Sequence, residues 1–330
     1  MIYLSAADIK KVFTMRDAID ADKEALSLYS LGKANIPLRT NIDIAEHSGQ
    51  SLYMPGYVSG DKPALGQKIV SVYPENISKK LPSVPATMIV LDATTGIVNA
   101  VLDGTYLTQL RTGAVQGLAT ELLSNEDSKT ALLIGTGGQG MSQLEAMLTV
   151  RNLTRVYVFD IDKKRSESFC DEATEKFSGK FTTTFESIVE INSVLKEVDI
   201  ITTVTTSRKA TFNGDMIKDG AHINGVGAYT KEMHEIPEAA LIRAKEIFVD
   251  TNDGVLAEAG DIITPLKTGV ISKNDITGEL GQLINGEVTG RQNKKDITIF
   301  KTVGTAALDV VVADRIVRLA LQKQIGIQLN

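Results

Sequence analysis

At 330 residues the chain is long enough for two domains, and a formal net charge of −6 with no run of Lys or Arg excludes nucleic acid as a natural partner. A single cysteine, Cys170, excludes an internal disulfide framework and a thiolate metal cluster, and fits a reducing cytoplasm. His47, His222 and His234 stand far apart, so no metal site is expected; no apolar run has bilayer-spanning length, so no membrane is expected; and MIYLSAADIKK meets Asp8 and two lysines before a signal-peptide core can form.

In chain order, IYL opens a short strand. Ser5-x-x-Asp8 reads as a capping box, and Thr14-x-x-Asp17 as a second that starts a long helix through ADKEALSLYSL, closed by Gly32. From Pro37 to about Asp103 the segments LRTNIDI, SLYMPGYV, LGQKIVSVYP, ATMIVLDATTG and IVNAVLDG are rich in β-branched residues and broken by Gly, Pro and Asp, which predicts a meander of strands. LTQLRTGAVQGLATELL, residues 107–123, then predicts an amphipathic helix, with Leu107, Leu110, Ala114, Leu118 and Leu122 at three- and four-residue steps and Thr108 as its cap. Arg111 falls in the first turn of that helix, where the dipole favours an anion, and no acid stands at helical spacing to pair with it.

SNEDSK, residues 124–129, is a polar break and a predicted domain boundary. Beyond it come the strand TALLIG, a helix from Gln139, the strand VYVFD, a helix from Lys163, a third strand near Phe181, and the apolar runs VDIITTVTT, HINGVG and EIFVD. This alternation predicts a doubly wound parallel sheet. The last helix, AALDVVVADRIVRLALQ, follows the end of the alternation and is read as crossing back to the first domain. The expected architecture is α/β: a Rossmann domain over 126–304, and a discontinuous α+β domain built from 1–125 and 305–330.

Gly135-x-Gly137-x-x-Gly140 follows a strand and opens a helix. Glycines there permit a tight turn and let backbone N–H groups approach a pyrophosphate, while the helix N-terminus favours the anion. Asp160 ends the next strand, twenty residues past Gly140. A carboxylate at that place takes the adenosine ribose hydroxyls and repels a 2′-phosphate, which favours NAD, with NADP as the alternative. Lys163, Lys164 and Arg165 are read as a solvated helix start. Outside this domain three cations stand out: Arg39, Lys68 on an apolar strand face with Gly66 and Val70, and Arg111. Together they suggest a site for a small carboxylate, which Arg binds in bidentate fashion. Burial beside two arginines would lower the Lys68 pKa and ease proton donation.

At these residues the chain resembles the ornithine cyclodeaminase/mu-crystallin family of NAD(P)-dependent enzymes, nearly end to end. The segments that carry the resemblance are PLR around Arg39, GQKIVSVYPEN around Lys68, LTQLRTGAVQGLA around Arg111, LLIGTGGQG with Gln139, INGVGAYTKEMHEI, ELGQLINGEVTGR and DITIFKTVGTAALD. The resemblance implies a Rossmann domain and a β-rich domain made from both chain ends that dimerises through its sheet. It implies that Arg39, Lys68 and Arg111 hold a substrate α-carboxylate. It implies cofactor contacts from Gly135, Gly137, Gly138, Gln139, Gly140, Asp160, Thr205, Val226, Val303 and Gly304.

Tyr229 stands where ornithine cyclodeaminases carry a catalytic aspartate. The run Tyr229-Thr230-Lys231-Glu232-Met233 is similar to that of members reducing cyclic imino acids, although Lys231 stands where those members have proline. The activity so implied is NADH-dependent hydride transfer to C2 of 1-pyrroline-2-carboxylate or 1-piperideine-2-carboxylate, giving L-proline or L-pipecolate, with Lys68, Arg111 and Tyr229 as catalytic residues. Ornithine cyclodeamination and alanine dehydrogenation are the alternatives within this class. A nucleotide-regulated ligand-binding protein, as mu-crystallin is in part, is the alternative of another class. The expected partners are a small imino or amino acid and a second copy of the chain, in the cytoplasm.

Overall fold

The computed structural model describes residues 1–329. The chain forms two compact units, one made of Met1–Arg111 with the chain from Thr305 onward, the other of Thr112–Gly304. The first boundary falls inside an unbroken helix, not at the polar break 124–129; a helix running through a boundary leaves no composition change to read there.

The first unit opens with β1 (Ile2–Leu4), α1 (Ala6–Val12) and α2 (Met15–Ser30). Both capping boxes are formed: Ser5 with Asp8, and Thr14 with Asp17. Each such cap satisfies N-terminal amides and is worth about 1 kcal/mol. Then come β2 (Ala34–Asn35), β3 (Thr40–Ile44), β4 (Gly49–Val58), β5 (Ala64–Val72), β6 (Ala86–Leu91) and β7 (Val98–Asp103), which bear out the strand meander.

The helix α3 (Gly104–Leu123) corrects two expectations. It starts at Gly104, because the Asp103 carboxylate accepts the Tyr106 N–H at 2.8 Å and so supplies the first-turn partner; Thr108 instead donates its hydroxyl to the Gly104 carbonyl at 2.7 Å. Arg111 therefore lies about two turns in, beyond the reach of the helix dipole, which fades within the first turn. Nor is α3 one-sided, since every residue from Gly113 to Thr120 is buried. Polar members of that stretch bond inside: Gln116 donates to Thr120 Oγ1 at 2.8 Å, and Asn224 donates to the same hydroxyl at 3.0 Å, while Gln116 Oε1 is buried without a partner.

The second unit continues with β8 (Thr130–Ile134), α4 (Gly140–Val150), β9 (Arg155–Phe159), α5 (Lys163–Phe177), β10 (Thr184–Ser187), β11 (Ile200–Thr203) and β12 (His222–Gly225). After these come α6 (Glu238–Arg243), β13 (Glu246–Val249), α7 (Asn252–Glu258), α8 (Gly260–Thr268), β14 (Gly278–Glu279), α9 (Leu280–Ile284) and β15 (Thr298–Lys301). The third strand starts later than Phe181, whose amide still bonds to the Phe177 carbonyl and whose ring packs edge-on against Phe177 as α5 ends. The eight strands form one all-parallel sheet in the order β10-β9-β8-β11-β12-β15-β13-β14. The order reverses between β8 and β11, the switch point of a doubly wound sheet. The strand β15, not foreseen, inserts between β12 and β13.

The helix α10 (Ala306–Gln322) and β16 (Ile327–Gln328) complete the first unit. Its sheet runs β16-β1-β7-β6-β5-β4-β2, with β3 on β4. Lys68 on β5 is flanked across the strands by Met54 and Met88, and Val70 by Leu52 and Ala86. The helix α10 packs on β4 and β5 and against α2. Gly66 fits a tight spot beside β6, because a Cβ there would stand 2.6 Å from the Ile89 carbonyl oxygen and 2.7 Å from Met88 Cε. Among the described residues no helix is long and apolar enough to cross a membrane.

Candidate active site

Strand alternation turns Ala64, Gly66, Lys68 and Val70 to the buried face of β5, so Lys68 is carried into the core at 1% exposure. An ammonium there needs a counter-charge. Asp309, in the first turn of α10, supplies it: Lys68 Nζ lies 2.8 Å from the carboxylate. The first turn is also where the helix dipole favours an anion. Arg111 Nε approaches the same carboxylate, 3.0 Å from the Oδ1 to which Lys68 donates, as an ion pair lying off the line of a directed hydrogen bond. Thus the acid that sequence spacing did not offer Arg111 comes from a helix that begins nearly two hundred residues later, and two buried cations share one buried carboxylate. Arg39, half-buried before β3, adds its charge to the field at Lys68.

The titration of these groups follows. Burial, then the Arg111 charge, pull the Lys68 pKa down, Asp309 holds it up, Arg39 pulls it down again, and it settles at about 8. For Asp309 burial pushes upward, but Arg111 and Lys68 outweigh it and keep the carboxyl below its ordinary range. A fourth member, Asp22, comes from the buried face of α2. Both its oxygens are buried without a hydrogen-bond partner. Burial pushes its pKa well up, and Asp309 adds to the rise while Arg111 opposes it. Beside Asp22, which holds its proton more tightly than an ordinary carboxyl, Lys68 and Arg111 bring two cations to the one carboxylate of Asp309.

In the second unit, the residues singled out for a dinucleotide gather at the carboxyl edge of the parallel sheet. Gly135 closes β8 at φ 105°, and Gly137 has nothing within 4 Å of where a Cβ would stand, so the loop is open above. Gly137 and Gly138 are exposed, Gln139 caps α4, and Gly140 begins it. Gln139 Oε1 is buried and has no hydrogen-bond partner, a polar atom in the loop left for a ligand. Asp160, at the end of β9, accepts the Thr136 N–H at 3.0 Å and hydroxyl at 2.6 Å, and the Asp162 N–H at 3.0 Å; burial raises its pKa, yet these bonds hold it below the ordinary value. Thr205 follows β11, Val226 and Tyr229 follow β12, and Val303 and Gly304 follow β15. Asp250 accepts the Val303 and Gly304 amides at 3.0 and 2.8 Å and fixes that last segment. These residues fit a dinucleotide: an open glycine turn on a helix N-terminus, an acid at the second strand, and loops converging at the switch point.

Asp22 and Asp309 escaped the reading of the sequence. The signal was there: each is a lone acid in an apolar stripe, Asp22 among Ala18, Ile19, Ala25 and Leu26, and Asp309 among Leu308, Val310, Val311 and Val312.

The second unit is a Rossmann dinucleotide-binding domain, and the first holds a buried cluster in which two cations share one carboxylate. Residues 1–324 match the model of the ornithine cyclodeaminase/mu-crystallin family, and the chain belongs to that family. It is 34% identical over 326 residues to a Delta(1)-pyrroline-2-carboxylate reductase of Bacillus cereus, covering 99% of this chain and 98% of that one. The solved Delta(1)-pyrroline-2-carboxylate reductase of Thermococcus litoralis, in complex with NADH and L-proline, is 38% identical and superposes with a TM-score of 0.93 over all of both chains. An archaeal alanine dehydrogenase dimer with bound NAD is 31% identical, with a TM-score of 0.90 over 100% of this chain and 99% of that one.

Proposed function

We propose that this chain reduces a cyclic imino acid, 1-pyrroline-2-carboxylate or 1-piperideine-2-carboxylate, to L-proline or L-pipecolate with NADH. The observation that carries the reading is the buried sharing of Asp309 by Lys68 and Arg111, which gathers two cations on one carboxylate beside an apolar strand face. The kinship with reductases of this activity supports it. The nicotinamide, when bound, supplies the hydride. The Arg111 guanidinium holds the substrate carboxylate, Arg39 adds to the attracting field, and Lys68, with its lowered pKa, keeps the ring nitrogen protonated and so C2 electrophilic. The phosphate loop 135–140 holds the pyrophosphate and Asp160 the adenosine ribose, with Thr205, Val226, Val303 and Gly304 lining the nicotinamide end.

Tyr229 sets the reaction apart from cyclodeamination. Ornithine brings a side-chain ammonium that a carboxylate could pair with and deprotonate; a neutral phenol does neither well at pH 7. A cyclic imino acid has no such amine and loses nothing. The protein acts as a homodimer in this reading, supported by the dimeric alanine dehydrogenase relative, and its single buried thiol suits a cytoplasmic setting. The test is NADH oxidation with pyrroline- and piperideine-2-carboxylate, with ornithine or alanine plus NAD as counter-substrates. Rapid imino-acid reduction with negligible ornithine turnover is the expected result. NAD-dependent ammonia release from ornithine, or from alanine at a higher rate, overturns it, and cofactor binding with no turnover at all points to a ligand-binding protein.

A further inference from the structure

The loop that leaves β12, residues 226–235, is clasped by its own last residue. The Glu235 side chain folds back so that Oε2 accepts the Gly227 N–H at 2.6 Å and the Ala228 N–H at 2.8 Å. Its other oxygen, Oε1, accepts the Thr205 N–H at 2.5 Å from the neighbouring loop after β11. One carboxylate thus ties together two loops on either side of adjacent strands. Gly227 is required for this fit, because a Cβ there would stand 2.1 Å from the Thr205 carbonyl oxygen and 2.7 Å from Glu235 Oε1.

Behind the clasp stands a second layer of charge. Asp261, near the start of α8, accepts the backbone N–H of Glu235 at 2.6 Å and of Ile236 at 3.0 Å. Lys301, at the end of β15, lies 3.0 Å from the same Asp261 carboxylate, and its stem passes beneath Gly225. Glu235, Asp261 and Lys301 are all wholly buried. Burying three ionisable groups is costly relative to an apolar core of the same volume, so stability alone does not account for them. What they have in common is the end they serve: the amides at 205, 227 and 228, in the loops that carry Thr205, Val226 and Tyr229.

We propose that Glu235 is a positioning residue for the nicotinamide end of the dinucleotide site, holding the loops after β11 and β12 in their binding arrangement before any ligand arrives, with Asp261 and Lys301 fixing Glu235 itself. This rests on the reading of the second unit as an NAD site. Loops at the carboxyl ends of the strands beside the switch point face the ligand crevice, so a clasp on these two loops acts on the nicotinamide half, while the adenosine half is served by the glycine turn and Asp160.

The test compares NADH with ADP-ribose, which keeps the adenosine and pyrophosphate and lacks the nicotinamide. In Glu235→Gln the new amide NH2 faces backbone N–H donors that it cannot satisfy. NADH binding, followed by calorimetry, is expected to weaken about tenfold or more, while ADP-ribose binding stays within about twofold of wild type. Equal loss of both ligands, or loss of neither, overturns the proposal. A wild-type chain that binds neither ligand overturns the NAD reading instead, and the proposal with it. Hydrogen exchange on the unaltered protein gives a measurement that does not depend on the variant's folding. The amides of 205, 227 and 228 are expected to exchange slowly without ligand; rapid exchange that slows only when NADH is added shows the ligand, not Glu235, ordering the loops and overturns the proposal.

Discussion

Lys68 and Asp309 stand 241 positions apart in the chain and 2.8 Å apart in the core. Asp309→Asn removes the only group of the cluster that holds the Lys68 proton on, since Arg111 and Arg39 both work against it. In the wild type, kcat/KM should fall as pH rises through about 8, where Lys68 loses its charge. In Asp309→Asn that alkaline limb should move to lower pH, with a loss of stability of about 3–5 kcal/mol because a buried charge has lost its partner. A limb that stays in place in the variant would separate it from Lys68. Stability moves the other way from activity in the wild type. The native Lys68 releases its proton near 8 and the unfolded one near 10.5, so between those values the unfolded state binds more protons and Lys68's contribution to stability rises with pH.

Arg111→Ala should lower kcat/KM for the imino acid by about 1.5–3 kcal/mol or more in transition-state binding, because a charge-assisted bond is lost and the ligand carboxylate is left poorly matched. NADH affinity should change little. Arg111→Lys should rescue poorly, since a point charge cannot reproduce a planar fork. Steady-state kinetics with both variants decides the matter; near-normal kcat/KM in the alanine variant would make Arg111 a structural partner of Asp309 alone.

Asp22 weakens the fold as it ionises. Its native pKa lies well above the unfolded one, so the native state keeps a proton that the unfolded state has released, and stability falls as pH climbs from about 4 toward the native value. Asp22→Asn keeps the shape of the neutral acid and removes that slope. It should be the more stable protein at neutral pH, by about 1.4 kcal/mol for each tenfold difference in proton affinity between the two states. Denaturant unfolding of both proteins at about pH 5 and about pH 8 measures this. A variant less stable than wild type at the higher pH would mean that Asp22 is ionised and paired.

Asp160 should make the wild type prefer NADH. Asp160→Ser removes the repulsion of a 2′-phosphate, and the ratio of NADPH to NADH efficiency should rise at least about tenfold. Because Asp160 also holds the Thr136 amide and hydroxyl, NADH itself should bind less well in the variant. If the wild type already favours NADPH strongly, the basic run Lys163–Lys164–Arg165 governs the choice.

Much of this was legible from local pattern. Period-two alternation turned Lys68 inward, the capping boxes marked α1 and α2, and the glycine turn with Asp160 marked the nucleotide fold. What was not legible depends on contacts distant in the chain. Arg111 stood apart from any acid because Asp309 comes from the other end of the sequence. The helix α3 looked one-sided because its leucines and Ala114 fall on one stripe, whereas Gln116 and Thr120 are buried as well, bonded to each other and to Thr202 and Asn224. The strand β15 escaped because it enters the sheet out of chain order, between β12 and β13.

The discontinuity of the first unit has a consequence in time. Lys68 on β5 and Arg111 on α3 are synthesised before Thr112–Gly304, and the whole of Thr112–Gly304 is made before α10 exists. Domains tend to fold as they are completed. The second unit therefore has all of its residues while the first still lacks its closing helix, and until Asp309 is added the two cations have no buried counter-charge. Nascent or interrupted chains that stop before Thr305 hold every residue of the dinucleotide fold but lack the Asp309 that Lys68 and Arg111 share. The helix α10 thus separates a chain that holds the dinucleotide fold alone from one that also holds the buried Lys68–Asp309–Arg111 cluster.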